Sequence, residues 1–424
     1  MPRVDLLIYN IGELVTFREG PLPGSRARDP KAAGIIHNAA IAIRGGRIVD
    51  VGSSGGLRAR YNGAVEIDAG GRLATPGLVD NHTHLVFAGS REDEFELKLL
   101  GYSYAEILAR GGGIYRTVRA TREASVGELR TLALKRLRLM VEHGTTVVEV
   151  KTGYGLLPEY ELKMLRALEG LDAPGLPRIV PTLLAHVIPE EYRERRGDYI
   201  DLFIKELIPR AREEKVKPVY VDVFCDQGVF TVEETRRIIE AGLRHGYRVR
   251  LHADELAYIG CSALAGEYPI DSLDHLEYLP PENARLLAER GTVATLLPTS
   301  MLTVFSDKKP PVEELRRAGA VIAVSTDYNP NNMNPILSTT MDLSTYLYRM
   351  TPLEALAAAT INPAKSLGLD DVHGRITPGA YADVVVWDMP NYRWIGYEWG
   401  YDRVLTVVAR GTLVRDLIGG VENP

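Results

Sequence analysis

Cysteine is nearly absent from this chain of 424 residues: Cys225 and Cys261 are its only two. They are too far apart for a Cys-x-x-Cys pair, and two cysteines in a chain of this length predict no disulfide framework. No apolar run approaches the ~18 residues of a transmembrane helix. The segment from Met1 to Asn10 carries Asp5 early and lacks a signal-peptide cleavage pattern, so a cytoplasmic location is expected. Nor is there a basic excess. The 50 Lys and Arg stand against 56 Asp and Glu, a formal net charge of −6, which gives no field to attract nucleic acid or an anionic membrane. An anionic small molecule would need a specific cation inside a pocket. Internal repeats and low-complexity tracts are also missing. What remains is an ordinary globular composition, 45% hydrophobic and 25% charged, with ample material for a core.

Against that background the pentad Asp80-Asn81-His82-Thr83-His84 stands out, at the end of an apolar run beginning at Leu73. Residues i and i+2 of a strand point the same way, so the two imidazoles would converge on one side. Two neutral imidazoles so placed can share a metal ion. Other runs end alike, delivering His186, His252, His275 and Asp327. One histidine at a strand end is more often a satisfied core residue than a ligand; five with a matching aspartate favour a common site. His37, His143, His245 and His373 lie in polar contexts and read as surface residues.

From about Thr75 to Pro330, short β-branched runs alternate with longer amphipathic stretches. Eight strands are predicted, over 78–85, 145–151, 178–186, 219–225, 248–252, 272–275, 292–297 and 321–327. Helical patterns occupy 126–142, 159–169, 199–213, 232–245, 282–290 and 311–318, and one long helical stretch is predicted over 336–368. Eight β/α units over roughly 250 residues imply parallel strands, right-handed crossovers and a (β/α)₈ barrel, with its site at the C-terminal strand ends. The flanks carry short strands separated by turns such as Arg44-Gly45-Gly46-Arg47 and predict a small β-sandwich built from both termini. The expected division is therefore 1–73 and 376–424 for the sandwich and 74–375 for the barrel with its last helices. Residues 17–34, rich in Pro, Gly and Arg, read as a surface loop.

The stretch Pro76-Gly77-Leu78-Val79-Asp80-Asn81-His82-Thr83-His84 resembles the entry motif of the amidohydrolase superfamily. More closely, the chain resembles the imidazolonepropionase family of histidine degradation. The blocks that carry this resemblance are His84-Leu85-Val86-Phe87-Ala88-Gly89-Ser90-Arg91, Gly111-Gly112-Gly113-Ile114, Val148-Glu149-Val150-Lys151-Thr152-Gly153-Tyr154-Gly155, Asp222-Val223-Phe224-Cys225, His252-Ala253-Asp254-Glu255 and Asp274-His275-Leu276-Glu277-Tyr278. They run in family order from about Ala39 to Val414. The His-x-His motif is common to the superfamily, whereas the Gly-Ser-Arg and Lys-Thr-Gly-Tyr-Gly blocks are far more specific to the imidazolonepropionase family.

The resemblance implies a metal-dependent hydrolase that opens the lactam C–N bond of 4-imidazolone-5-propanoate to give N-formimidoyl-L-glutamate. Binuclear members bridge two metals with a carboxylated lysine on the fourth strand. Here that strand holds none, and Lys217 precedes it. One divalent ion, Zn²⁺ or Fe²⁺, is therefore expected, held by His82, His84, His252 and Asp327. Glu255 is the first choice for moving a proton to the leaving nitrogen, with His275 and Asp327 able to accept the proton of water. Arg91 offers a fork for the propionate, and Tyr104, Tyr154 and His186 carry over as substrate contacts. After the eighth strand the family reads Asp-x-Asn-Pro-Gly followed by Ser or Thr. This chain reads Asp327-Tyr328-Asn329-Pro330-Asn331-Asn332, so Asn329, Asn331 and Asn332 are the expected ligand contacts there. Asn331 would replace Gly at a positive φ, and Asn332 would offer an amide in place of the hydroxyl. The expected partner is a small anionic substrate, with neither nucleic acid nor membrane, and a homodimer is compatible with the family. Two other readings compete. A one-metal deaminase of the cytosine or guanine type shares the His…Glu pair, but its neutral base would leave Arg91 unpaired. A barrel without catalysis should have lost a ligand, and all four are present.

Overall fold

A computed structural model describes residues 1–103, 106–107 and 110–418. The N-terminal segment supplies β1 (Arg3–Leu14), β2 (Ile36–Arg44), β3 (Arg47–Ser53), β4 (Asn62–Asp68) and β5 (Leu73–Pro76). Gly45 and Gly46, at φ 58° and 75°, make the two-residue β2–β3 turn, whose primed geometry needs two positive φ values. The barrel strands follow: β6 (Leu78–Asp80), β7 (Thr145–Lys151), β8 (Arg178–Ala185), β9 (Tyr220–Cys225), β10 (Arg248–Ala253), β11 (Ile270–His275), β12 (Val293–Leu296) and β13 (Ile322–Val324). The chain ends with β14 (Val384–Trp387), β15 (Val404–Ala409) and β16 (Thr412–Asp416).

The eight strands from β6 to β13 pair in sequence order, and every pair is parallel. Both faces of such a sheet are covered, and β7 accordingly has no exposed residue. The expected terminal sandwich is hydrogen-bonded as one mixed sheet, in the order β16-β15-β14-β5-β1-β2-β3, with β4 beside β1. The join between β5 and the C-terminal β14 draws the two ends of the chain together.

The intervening helices start where the sequence offers caps. Ser125 with Glu128 opens Val126–Glu142, Thr231 with Glu234 opens Val232–Arg244, and Thr351 with Glu354 opens Pro352–Ala358, each a reciprocal capping box. The long helical stretch expected over 336–368 is three helices, Leu337–Leu347, Pro352–Ala358 and Ile361–Ser366. Arg349 at φ 51° breaks the first, and Pro352 can only begin the next. The expected surface loop over 17–34 is partly core: Phe17, Leu22 and Ala33 are buried against the barrel, around a short 3₁₀ turn at Gly24–Arg28. His373 is likewise buried, with Nδ1 2.6 Å from Asp383 Oδ2. The two cysteines, from which no disulfide framework is expected, form a disulfide across 36 residues of sequence. No helix among the described residues is long and apolar enough to cross a membrane.

Candidate functional site

Strands β6 and β13 stop earlier than the sequence pattern suggests, at Asp80 and Val324. Beyond them the backbone leaves regular strand geometry, and the barrel is closed by the site residues themselves. The Asp327 N–H donates to the His82 carbonyl at 3.1 Å, and the His84 N–H donates to that of Tyr328 at 2.9 Å. Asp80 fastens the same seam, its buried carboxylate accepting from the Thr326 N–H at 3.1 Å, the Thr326 hydroxyl at 2.7 Å and the Ser325 hydroxyl. On the other side Thr83 is tied to β7, donating its hydroxyl to the Glu149 carbonyl at 2.6 Å. His82 and His84 are thus clamped between the second strand and the eighth. Asp327 turns inward at φ 49°, one of the rare left-handed non-glycine residues.

His82, His84 and His252 form a buried cluster whose nitrogens lie within 4.8 Å of one another. Asp327 Oδ1 is 3.5 Å from His82 Nε2 and 3.4 Å from His84 Nε2. His82 Nδ1 sits 2.7 Å from Asp274 Oδ2, and His252 Nδ1 3.1 Å from Asp222 Oδ2. Their Nε2 atoms are buried and have no hydrogen-bond partner among the described residues. A carboxylate that accepts from Nδ1–H leaves the Nε2 lone pair free, which is the arrangement a metal ligand requires. Burial holds the His84 pKa down to about 4, so near neutral pH that ring is an unprotonated donor. This donor set, three imidazoles and a carboxylate, is suited to a divalent metal.

The two carboxylates behind the histidines are themselves held. Lys151 Nζ, fully buried, lies 2.7 Å from Asp222 and 2.9 Å from Glu149. Arg250 Nη2 donates to Asp274 at 3.1 Å and to the Asn81 carbonyl at 2.7 Å. Burial alone would lower the Lys151 pKa, but the charges of Asp222 and Glu149 outweigh it and the pKa is raised. Lys151 therefore stays a cation inside the barrel. The sequence reading gave no role to Asp222, Asp274, Lys151 or Arg250. Their signal was present, since β7, β9, β10 and β11 carry Lys151, Asp222, Arg250 and Asp274 where an all-apolar barrel core would be expected.

Around the cluster, His186 stacks on His84 with ring centroids 5.1 Å apart, and Tyr154 lies 5.3 Å from His186. The loop bearing Tyr154 is pinned by Glu161, whose carboxylate accepts from Gly153 N–H at 2.8 Å and Gly155 N–H at 2.7 Å. A Cβ on Gly155 would meet the Tyr160–Glu161 backbone at 2.5 Å, so only glycine fits. Glu255 Oε2 is 3.6 Å from His275 Nε2. Burial first, then the charges of Glu277, Asp327 and Asp226, push the Glu255 pKa well above the ordinary carboxylate range.

Arg91 stands just before the helix Glu92–Leu99 and is not a free fork. Its Nε and Nη2 both contact Glu94 at 2.8 Å, and Glu94 Oε1 accepts from Gly113 N–H at 3.0 Å. The resident partner removes the expected discrimination against neutral bases, because Arg91 is not unpaired without a ligand. Asn331 lies outside the positive-φ region, contrary to the expectation for a glycine replacement. Its Oδ1 accepts from Lys98 Nζ at 2.8 Å, and Lys98 also donates to the Thr303 carbonyl at 2.8 Å. Asn329 Oδ1 gathers the amides of Asn331 and Asn332 at 2.8 and 3.1 Å. The Asn332 side-chain amide donates to the carbonyls of Thr326 at 2.8 Å and Asp327 at 3.2 Å, so it holds the loop that carries Asp327. Tyr104 lies outside the described residues.

Residues 73–414 match the model of the Amidohydrolase family, and the chain belongs to that family. Solved structures agree at the level of fold: a zinc-bound adenosine deaminase from Xanthomonas campestris (TM-score 0.72, 18% identity, 98% of this chain and 94% of that one) and a zinc complex of atrazine chlorohydrolase from Arthrobacter aurescens (0.72, 19%, 97% and 96%). Among curated proteins, the chain is 48% identical to an imidazolonepropionase from Pyrobaculum arsenaticum over 412 residues, covering 97% of this chain and 100% of that protein. It is 42% identical to that of Chloroflexus aggregans, covering 98% of this chain and 99% of the relative. On this full-length likeness the chain belongs, within the amidohydrolases, with the imidazolonepropionases.

Proposed function

We propose that the chain hydrolyses the lactam C–N bond of 4-imidazolone-5-propanoate to N-formimidoyl-L-glutamate, in the cytoplasm, with one divalent ion, Zn²⁺ or Fe²⁺, per chain. The observation that carries this reading is the buried cluster of His82, His84 and His252, two of whose Nε2 atoms are unpartnered beside Asp327. These four residues would hold the ion, which supplies hydroxide near neutral pH by lowering the pKa of water.

The reaction consumes one water. Oxygen adds to the ring carbonyl, the C–N bond breaks, one proton of water is taken up by the protein and a proton is delivered to the departing ring nitrogen. Asp327 or His275 would accept the first proton. Glu255, whose raised pKa favours the protonated form, delivers the second. Arg91, with its remaining N–H groups, receives the propionate, while Tyr154 and His186 line the ring site. Asn329, Asn331 and Asn332 shape the loop at the amino-acid end. A spectrophotometric assay with freshly generated imidazolone propionate, beside cytosine and guanine, tests the reading. Loss of the imidazolone absorbance, with no ammonia from either base, is the expected result; deamination of a base without imidazolone turnover would overturn it.

A further inference from the structure

The loop that carries Glu255 has little to hold it in place. It runs from residue 254 to 261 after β10, and its large apolar side chains face solvent: Leu256 is 51% exposed, Tyr258 46% and Ile259 37%. Packing therefore does not fix it. A neighbouring strand end does. Asp226, one residue past β9 and only 1% exposed, directs both carboxylate oxygens at the loop backbone. Oδ2 accepts from the Glu255 N–H at 2.7 Å and the Leu256 N–H at 3.0 Å, and Oδ1 accepts from the Ala257 N–H at 3.0 Å. Three successive amides converging on one carboxylate form the concave anion seat known from phosphate loops, here filled by a side chain of the same protein. Such charge-assisted bonds are about twice as strong as neutral ones. The far end of the loop is secured by the adjacent residue, since Cys225 is bonded to Cys261.

We propose that Asp226 is a positioning residue for catalysis, which sets the place of the Glu255 carboxyl by anchoring the backbone that bears it. This rests on Glu255 as the proton donor. Asp226 touches neither ligand nor metal-binding side chain in this assignment; its contact with Glu255 is to the main chain, and its charge is one of those that raise the Glu255 pKa. The pattern recurs at Glu161, which seats the amides of the Tyr154 loop, so two loops of this mouth are held by a buried carboxylate.

A double-mutant cycle on the metal-loaded enzyme tests the proposal, using Asp226→Asn, Glu255→Gln and the pair. Asp226→Asn keeps the shape but turns an N–H donor toward backbone donors. Its kcat should fall by about 10–100-fold, since a misplacement of about 1 Å is enough for that, with KM and metal content little changed. In the Glu255→Gln background the same substitution should cost less than about 3-fold, because residues acting through one another are not additive. An equal loss in both backgrounds, or a rise in KM without loss of kcat, overturns the proposal. Unimpaired turnover by Glu255→Gln alone would show instead that the assignment of Glu255 had failed, and the proposal would fall with it. Asp226→Ser, which leaves a single small acceptor, carries the same cycle if Asp226→Asn does not fold.

Discussion

The Nδ1 atoms of His82 and His252 meet carboxylates, and this fixes which nitrogen each ring presents to a metal. The carboxylates in turn are kept ionised by Arg250 and Lys151, whose charges counter the cost of burial. Asp274→Asn would retain volume while weakening the Nδ1 contact and leaving Arg250 without its carboxylate. Metal affinity should drop by about 10–100-fold, read by competition with a chromogenic chelator; unchanged affinity would show that Asp274 does not orient His82. Arg91 obeys a different logic. Glu94 already pairs with it, so if Arg91 receives the propionate as proposed, binding would involve less loss of side-chain freedom. Arg91→Met should weaken a propionate-bearing substrate by about 2–5 kcal/mol, seen in KM, with metal content intact. Equal kcat/KM in the variant and the parent would place Arg91 outside the binding pocket.

Strands carry His252, His275 and the carboxylates behind the histidines, while the loops that bring the other site residues are fastened by side chains from nearby. Asp80 joins the first and eighth strands, Glu161 seats the Tyr154 loop, Asp226 seats the Glu255 loop, and Asn332 ties the segment after β13 to its own carbonyls. The disulfide from β9 to the end of the Glu255 loop closes 36 residues of chain. Cys261→Ser should lower stability by about 2–4 kcal/mol in denaturant titration under oxidising conditions, the range for loops of such length. Added reductant should bring the parent down toward the variant. Identical midpoints for both proteins with and without reductant would mean that the bond does not form in solution.

At the scale of the whole molecule, periodicity was enough to foresee a barrel of eight parallel strands with its polar residues at one end, because buried parallel strands read as apolar runs that stop at chemistry-bearing residues. His82, His84 and His252 were legible for that reason, and Asp327 as the residue ending the last run. What escaped was long-range. The roles of Asp222 and Asp274 depend on strand order, since each acts on a histidine from another strand. The pairing of Lys98 with Asn331 joins residues 233 apart and is not given by spacing, whereas that of Arg91 with Glu94, three residues apart at a helix start, was within its reach. The cysteine pairing was missed because only the fold brings Cys225 beside Cys261. The break of the 336–368 stretch is marked in the sequence by Pro352 and Pro363, each in the first turn of a new helix. One metal ion in the His82, His84, His252 and Asp327 cluster is proposed to support hydrolysis of an imidazolone ring. The most direct measurement is turnover of imidazolone propionate by metal-stripped enzyme titrated with Zn²⁺ or Fe²⁺. No activity without metal and a linear rise to a plateau at one equivalent per chain are expected; a plateau reached only at two equivalents, or full activity in the stripped enzyme, would contradict the one-metal assignment.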